Sequence, residues 1–102
     1  MIHVAFHRLA AAEQRRARRH YENERSGLGR RFVEAIDRAV HGIEHGPESF
    51  PLFQGKFRWS RVRRFSYILY FQILSANQVL VLAVAHSRRR PGYWMRRAMP
   101  EG

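Results

Sequence analysis

Ile2, Val4 and Phe6 alternate with His3, Ala5 and His7, the period-two pattern of a short strand with one buried face. Arg8 to Arg25 contains no Gly or Pro and is dominated by Ala, Arg, Glu and Gln, all good helix formers. Its sparse stripe Ala10, Gln14, Ala17, Tyr21 keeps helical spacing, which predicts a helix that buries little. Gly27-Leu28-Gly29 ends that helix, because Gly readily takes the left-handed conformation of a helix terminus. Phe32, Ile36, Ala39/Val40 and Ile43 then recur at intervals of three and four, predicting a second helix with a clear apolar face that stops at Gly46-Pro47. The two helices form an antiparallel hairpin over a sheet.

Glu48 to Gly55 reads as a connecting loop. Phe57 to Phe65 interleaves aromatics and Val62 with arginines, as expected for a strand with one apolar and one basic face. Tyr67 to Leu74 and Val79 to His86 are β-rich and uncharged, and Ser75-Ala76-Asn77-Gln78 between them suits a hairpin turn. The lack of charge over 65–85 follows from burial, since an ionised side chain is costly to desolvate without a partner. The predicted order is β-α-α-β-β-β: an α+β domain whose helical hairpin packs on a small, mainly antiparallel sheet. It occupies 1–97, with 98–102 as a short tail in which Met99 could still dock.

Composition narrows the function classes. A chain of 102 residues, 45% hydrophobic and 13% aromatic, is long enough for one cored domain and too short for two. The absence of cysteine removes disulfides, thiolate metal sites and Cys nucleophiles. Phe65 to Ala85 is interrupted by Ser66, Gln72, Ser75, Asn77 and Gln78, so it offers no run of about 20 apolar residues to span a bilayer. Met1 to His7 lacks the layout of a secretory signal. A cytoplasmic protein with no membrane partner is expected.

Charge changes the picture most. The chain carries 19 Lys+Arg against 8 Asp+Glu, a formal +11, and all but one of the basic residues are Arg. The excess is concentrated in three places: the first helix, the cluster Lys56, Arg58, Arg61, Arg63 and Arg64, and the carboxy-terminal run Arg88, Arg89, Arg90 with Arg96 and Arg97. Such a surface attracts polyanions: nucleic acid, ribosomes or acidic proteins. An Arg-favouring genome accounts for part of the same bias.

Few motifs carry chemistry. His41-Gly42-Ile43-Glu44-His45 matches H-x-x-E-H, in which two histidines one turn apart bind zinc and the Glu acts as base. The helix stops at Gly46-Pro47 and the later chain offers only Glu48 and Glu101 as carboxylates, so no third ligand is at hand and no metal or cofactor is expected. No Gly-rich phosphate loop, Ser-His-Asp order or paired-carboxylate site stands out, and carboxylate-based acid/base chemistry has no obvious home. What remains is His86, Arg88, Arg89, Arg90 and Tyr93 beside Arg61, Arg63 and Arg64. These types suit a metal-independent ribonuclease, in which His or Tyr moves a proton and Arg neutralises the phosphate. They equally suit a basic binding patch in which Tyr93 and Trp94 pack against the sheet edge.

Gly27-Leu28-Gly29-x-x-Phe32 followed by Ile36, Ala39 and Ile43, Pro47-x-x-Phe50-Pro51, Val62-Arg63-Arg64-Phe65-Ser66-Tyr67-x-x-Tyr70, and Val81-Leu82-Ala83-Val84-Ala85-His86-x-x-Arg89-x-Pro91-x-Tyr93-Trp94 together resemble the RelE/ParE superfamily of toxins from type II toxin-antitoxin systems. Ser66 departs from the pattern, since Pro often precedes the Tyr. The resemblance implies a helical hairpin on an antiparallel sheet and a toxin held inactive by a cognate antitoxin. RelE-like members cleave mRNA on the ribosome, whereas ParE-like members lack the nuclease residues and poison DNA gyrase. The arginine that follows the equivalent of Tyr67 in RelE-like enzymes falls on Ile68, and the one six residues before Tyr93 falls on Ser87. Arg61 matches a catalytic Lys position and Tyr93 the carboxy-terminal Tyr.

Three functions follow as expectations. The first is a ParE-like toxin, a binder rather than an enzyme, whose Arg58, Arg61, Arg63, Arg64, Arg88, Arg89, Arg90 and Trp94 contact gyrase or antitoxin. The second is a ribosome-dependent endoribonuclease acting through His86, Tyr93, Arg61 and Arg89. The third is a non-toxic basic RNA-binding module or decayed toxin.

Overall fold

The computed structural model describes residues 1–100. The chain runs β1 (His3–Phe6), α1 (Arg8–Glu24), α2 (Leu28–His45), a 3₁₀ turn (Pro47–Ser49), β2 (Leu52–Phe53), β3 (Phe57–Val62), β4 (Tyr67–Ser75), β5 (Gln78–His86) and a second 3₁₀ turn (Met95–Arg97). The strands form one sheet in the order β1-β5-β4-β3-β2, with β1 parallel to β5 and every other pair antiparallel. The predicted α+β layout holds. The segment expected as a plain loop, Glu48 to Gly55, contributes β2, which pairs Leu52 with Arg58 and Phe53 with Phe57. The strand expected to reach Phe65 ends at Val62, where Phe65 N–H donates to Val62 C=O (3.1 Å) and Arg64 takes a left-handed φ of 73°. The last two residues of the expected tail lie outside the described residues. No described helix is long and apolar enough to cross a membrane.

Residues on the two faces of the sheet build two cores. Beneath the helices, Phe32, Ile36 and Ile43 of α2 and Ala10 and Ala17 of α1 pack on Val62, Leu69, Phe71, Val81 and Val84. On the other face Phe57, Leu82, Ala83 and Ala85 lie under Trp94, with Phe53, Tyr70 and Tyr93 around them. The central strands β4 and β5 are thus covered on both sides, the reason 65–85 carries no charge. The carboxy-terminal segment serves as the second layer, and Gln72 anchors it: its side-chain amide donates to Met99 C=O (3.0 Å) and accepts from Met99 N–H (2.9 Å).

The helical hairpin depends on a tight turn. Gly27 has φ 89°, and the Glu22 carboxylate accepts from the amides of Gly27 (3.1 Å) and Gly29 (3.0 Å). Those hydrogen bonds lower the Glu22 pKa. A Cβ at Gly29 would sit 2.9 Å from the Arg18 carbonyl oxygen, so the close approach of α1 and α2 requires glycine there. At the start of α1, His7 acts as N-cap, its Nδ1 accepting from Leu9 N–H at 3.1 Å. Burial, and then the positive charges of Arg97 and Arg8, lower its pKa from the usual 6.5.

Two stability effects follow. Gly29→Ala forces the helices apart at a backbone contact and destabilises the protein by about 1–3 kcal/mol, read as a fall in Tm of roughly 4–8 °C per kcal/mol. His7 is easier to protonate in the unfolded chain than in the fold, so its contribution is present above pH 6.5 and is lost as pH falls through the lower folded value. His7→Asn keeps a capping acceptor without a titrating ring. It flattens the fall in Tm just below pH 6.5; an unchanged pH profile rules out His7 as the cause.

Candidate functional site

β1 pairs with β5 only from Gln78 to Val81, because the chain turns into α1 directly after Phe6. Beyond Val81 the outer edge of β5 has no strand neighbour, and its polar groups need other partners. Side chains supply them. The Glu13 carboxylate of α1 accepts from Val84 N–H at 3.0 Å, and Arg97 Nη1 donates to Leu82 C=O at 3.0 Å. Arg97 also grips Glu13 with both terminal nitrogens (3.0 Å each), and the Tyr93 hydroxyl donates to Glu13 Oε2 at 2.8 Å. Arg89 lies 3.6 Å from the same oxygen, with its guanidinium 3.8 Å from the Tyr93 ring centroid. Glu13 is buried, so this is a desolvated carboxylate with every lone pair engaged.

That cluster corrects one expectation: the buried stripe of α1 is Ala10, Glu13, Ala17, whereas Gln14 is half-buried. Glu13 stands three residues after Ala10 and four before Ala17, so an acidic residue in register with the alanines was the available signal. Arg97 had none. It becomes legible only once the last turn is folded over the β5 edge.

Of the candidate catalytic residues, His86 and Arg89 share a groove, Tyr93 touches Arg89 at its edge, and Arg61 stands apart. His86 is the last residue of β5, and its Nδ1 accepts from Arg88 N–H (3.1 Å), which leaves Nε2 as the outward-facing nitrogen. With Arg89, Arg16, His20 and Tyr67 it lines a groove of about 520 Å³ between α1 and β5. Tyr93 is bound through its hydroxyl to Glu13, another residue of the groove's lining. Its pKa is driven up strongly by burial, then by the hydrogen bond and charge of Glu13, so the phenol stays protonated and acts as a donor. Arg61 is in register with Ile68 and Ala85, and His86 with Tyr67. Successive strand residues face opposite sides, so Arg61 and His86 belong to opposite faces of the sheet.

The basic residues are grouped differently from their order in the chain. Val62, Tyr67 and His86 stand side by side across three strands, and Ser87 N–H donates to Ser66 C=O at 2.8 Å. The register therefore brings Arg63 and Arg64 to the same end of the sheet as Arg88, Arg89 and Arg90, and all five are exposed. Two residues leave the expected contact surface. Trp94 is fully buried, 4.7 Å from the Tyr70 ring in a stack and 4.9 Å from Phe57 edge-on. Its size and apolar ring make it the keystone of the second core. Arg58 spends its guanidinium on the carbonyls of Glu48 (3.1 Å) and Phe50 (2.6 Å), holding the segment that leads into β2.

A helical hairpin on a five-stranded sheet, rimmed by arginines at one end, defines a small basic α+β domain. A family model described as the ParE toxin of a type II toxin-antitoxin system, parDE, matches residues 4–91, and the chain belongs to that family. A solved structure titled as the chromosomal ParDE TA system from P. aeruginosa superposes with a TM-score of 0.72 at 17% identity, covering 84% of this chain and 96% of the other. None of the curated proteins matches the chain in sequence.

The carboxylate cluster is tested by a mutant cycle. Glu13→Ala leaves the Val84 amide unpartnered and the Arg97 charge without its carboxylate, and costs about 3–5 kcal/mol; Tyr93→Phe costs about 1.5–3 kcal/mol, as expected for a bond to a charged group. Urea denaturation of the double variant should show less than the sum of the two, because Tyr93 has lost its acceptor already.

Proposed function

We propose that this ParE-family toxin acts in the cytoplasm by binding and inhibiting DNA gyrase, and that a cognate antitoxin with an acidic segment neutralises it. The incompleteness of the nuclease constellation carries the reading. Tyr93 is a buried donor to Glu13 rather than a free acid/base, Arg61 faces away from His86, and Ile68 and Ser87 stand where phosphate-stabilising arginines would be needed. Each missing contact of that kind typically removes about 100-fold or more in rate. The exposed arginines at the end of the sheet provide a binding surface in place of a reaction centre, and their like charges favour an acidic partner at rest.

A ribosome-dependent endoribonuclease is the second reading, supported by the groove that holds His86 and Arg89 together. One pair of assays separates the two. Purified toxin incubated with gyrase and relaxed plasmid should block supercoiling or accumulate cleaved complex, while mRNA in a translating extract stays intact. Unimpaired supercoiling together with truncated message that disappears in His86→Ala would reverse the assignment.

A further inference from the structure

A second groove lies on the far side of the helical hairpin from the Glu13 cluster's groove. One part, of about 500 Å³, is lined by Ala35, Arg38, Ala39, Gly42, Arg61 and Arg63 among others; the adjoining part, of about 680 Å³, by Tyr21, Arg25, Arg31, Glu34 and Phe65. Arg38 and Arg64 line both, so the two parts form one channel between α2 and the β3–β4 turn. The α2 wall has a regular design. Arg31, Ala35, Arg38 and Gly42 recur at intervals of four and three, one face of the helix. At about 1.5 Å per residue, Arg31 and Arg38 stand some 10 Å apart along the axis, with small side chains between and beyond them.

Five arginines (Arg25, Arg31, Arg38, Arg63, Arg64) face this channel against one carboxylate, Glu34, while Arg61 borders it from a strand position whose side chain belongs to the sheet's other face. Among the described residues, none of the five guanidinium groups forms an ion pair or hydrogen bond within the protein. The contrast with Arg58, Arg89 and Arg97, each engaged by a protein group, is sharp. A concentration of unpartnered guanidinium groups is self-repelling until an anion fills it, and the planar guanidinium fork matches phosphate oxygens.

We propose that this channel binds the phosphate backbone of duplex DNA. Charge complementarity gives the polyanion, and the lining selects its form. A site for unpaired bases needs open aromatic faces for stacking. The channel's three aromatic side chains are half-buried and engaged by other rings: Tyr21 packs on Phe65 at 4.9 Å, and Phe50 on Phe71 at 5.8 Å. Apart from Glu34 the channel offers no carboxylate to recognise a ribose hydroxyl or a base amine. It supplies positive charge and small residues that permit close approach, which suits sequence-independent contact with one strand's phosphates. The channel shares Arg63 and Arg64 with the surface proposed for gyrase, but its duplex binding is read without gyrase, and it gives a toxin of this class its own hold on DNA.

Fluorescence anisotropy of the full chain with a labelled mixed-sequence duplex tests the proposal. Four to six phosphate contacts give a log K against log salt slope of about −3.5 to −5.5 between about 50 and 200 mM salt. Arg31→Gln, Arg38→Gln and Arg63→Gln together should weaken binding at least about tenfold and flatten that slope by about 2 to 3. The control triple Arg15→Gln, Arg19→Gln and Arg30→Gln removes the same charge from exposed positions outside the channel and should change affinity much less; circular dichroism melts confirm that both variants fold. Equal losses in the two triples, tighter binding of a single strand of equal length, or no duplex binding at low salt would each overturn the assignment. Preferential capture of a Glu/Asp-rich peptide, lost in the channel variant while the duplex fails to compete, would give the channel to an acidic protein instead.

Discussion

The short first strand creates the constraint around which the rest of this structure is arranged. Because β1 leaves β5 at Val81, the outer backbone edge of residues 82–86 would be buried without partners. Glu13 reaches from α1 to take the Val84 amide, and Arg97 reaches from the chain's last turn to take the Leu82 carbonyl. A lone carboxylate in that position would be expensive to desolvate. Two guanidinium hydrogen bonds and the Tyr93 hydroxyl offset the expense. One side chain thereby joins the first helix, the central sheet and the carboxy-terminal segment, and the segment it captures places Trp94 over the second core.

That solution has a functional consequence. Tyr93, by residue type a candidate proton-transfer group, becomes part of the scaffold, and its neighbour Arg89 is drawn toward the same carboxylate and ring. Arg61 is separated from His86 by strand alternation alone. His86 and Arg89 still share one groove with Glu13, while Arg61 lies on the opposite face of the sheet.

Sorting the arginines by what they touch separates these roles. Arg97 and Arg58 satisfy backbone carbonyls, and Arg89 caps the Tyr93 ring. Arg25, Arg31, Arg38, Arg63 and Arg64 line one channel without protein partners. The net charge of +11 therefore divides into a small structural subset and a larger unpaired one, five members of which share a single channel. The unpaired subset costs self-repulsion in the free protein, and any polyanion that binds there relieves it.

Much was legible from the chain alone. Apolar periodicity located both helices and the central hairpin, since burial enforces those repeats locally, and the charge-free run 65–85 announced strands covered on both faces. The ordered motifs from Gly27 to Trp94 pointed to the family. What local pattern could not show was pairing at long range: that β1 joins β5 in parallel, that Leu52–Phe53 becomes an edge strand, and that Val62, Tyr67 and His86 align so that two separate basic runs meet. Glu13 is the clearest case. In the sequence it is one acidic residue among arginines on a weakly amphipathic helix, and only the folded edge of β5, together with residues 80 and more positions away, makes it the buried centre of the domain. Hydrophobic pattern determines which segments are buried and in what form. The partners of a buried polar group depend on which unsatisfied backbone it meets, and that is decided by tertiary structure.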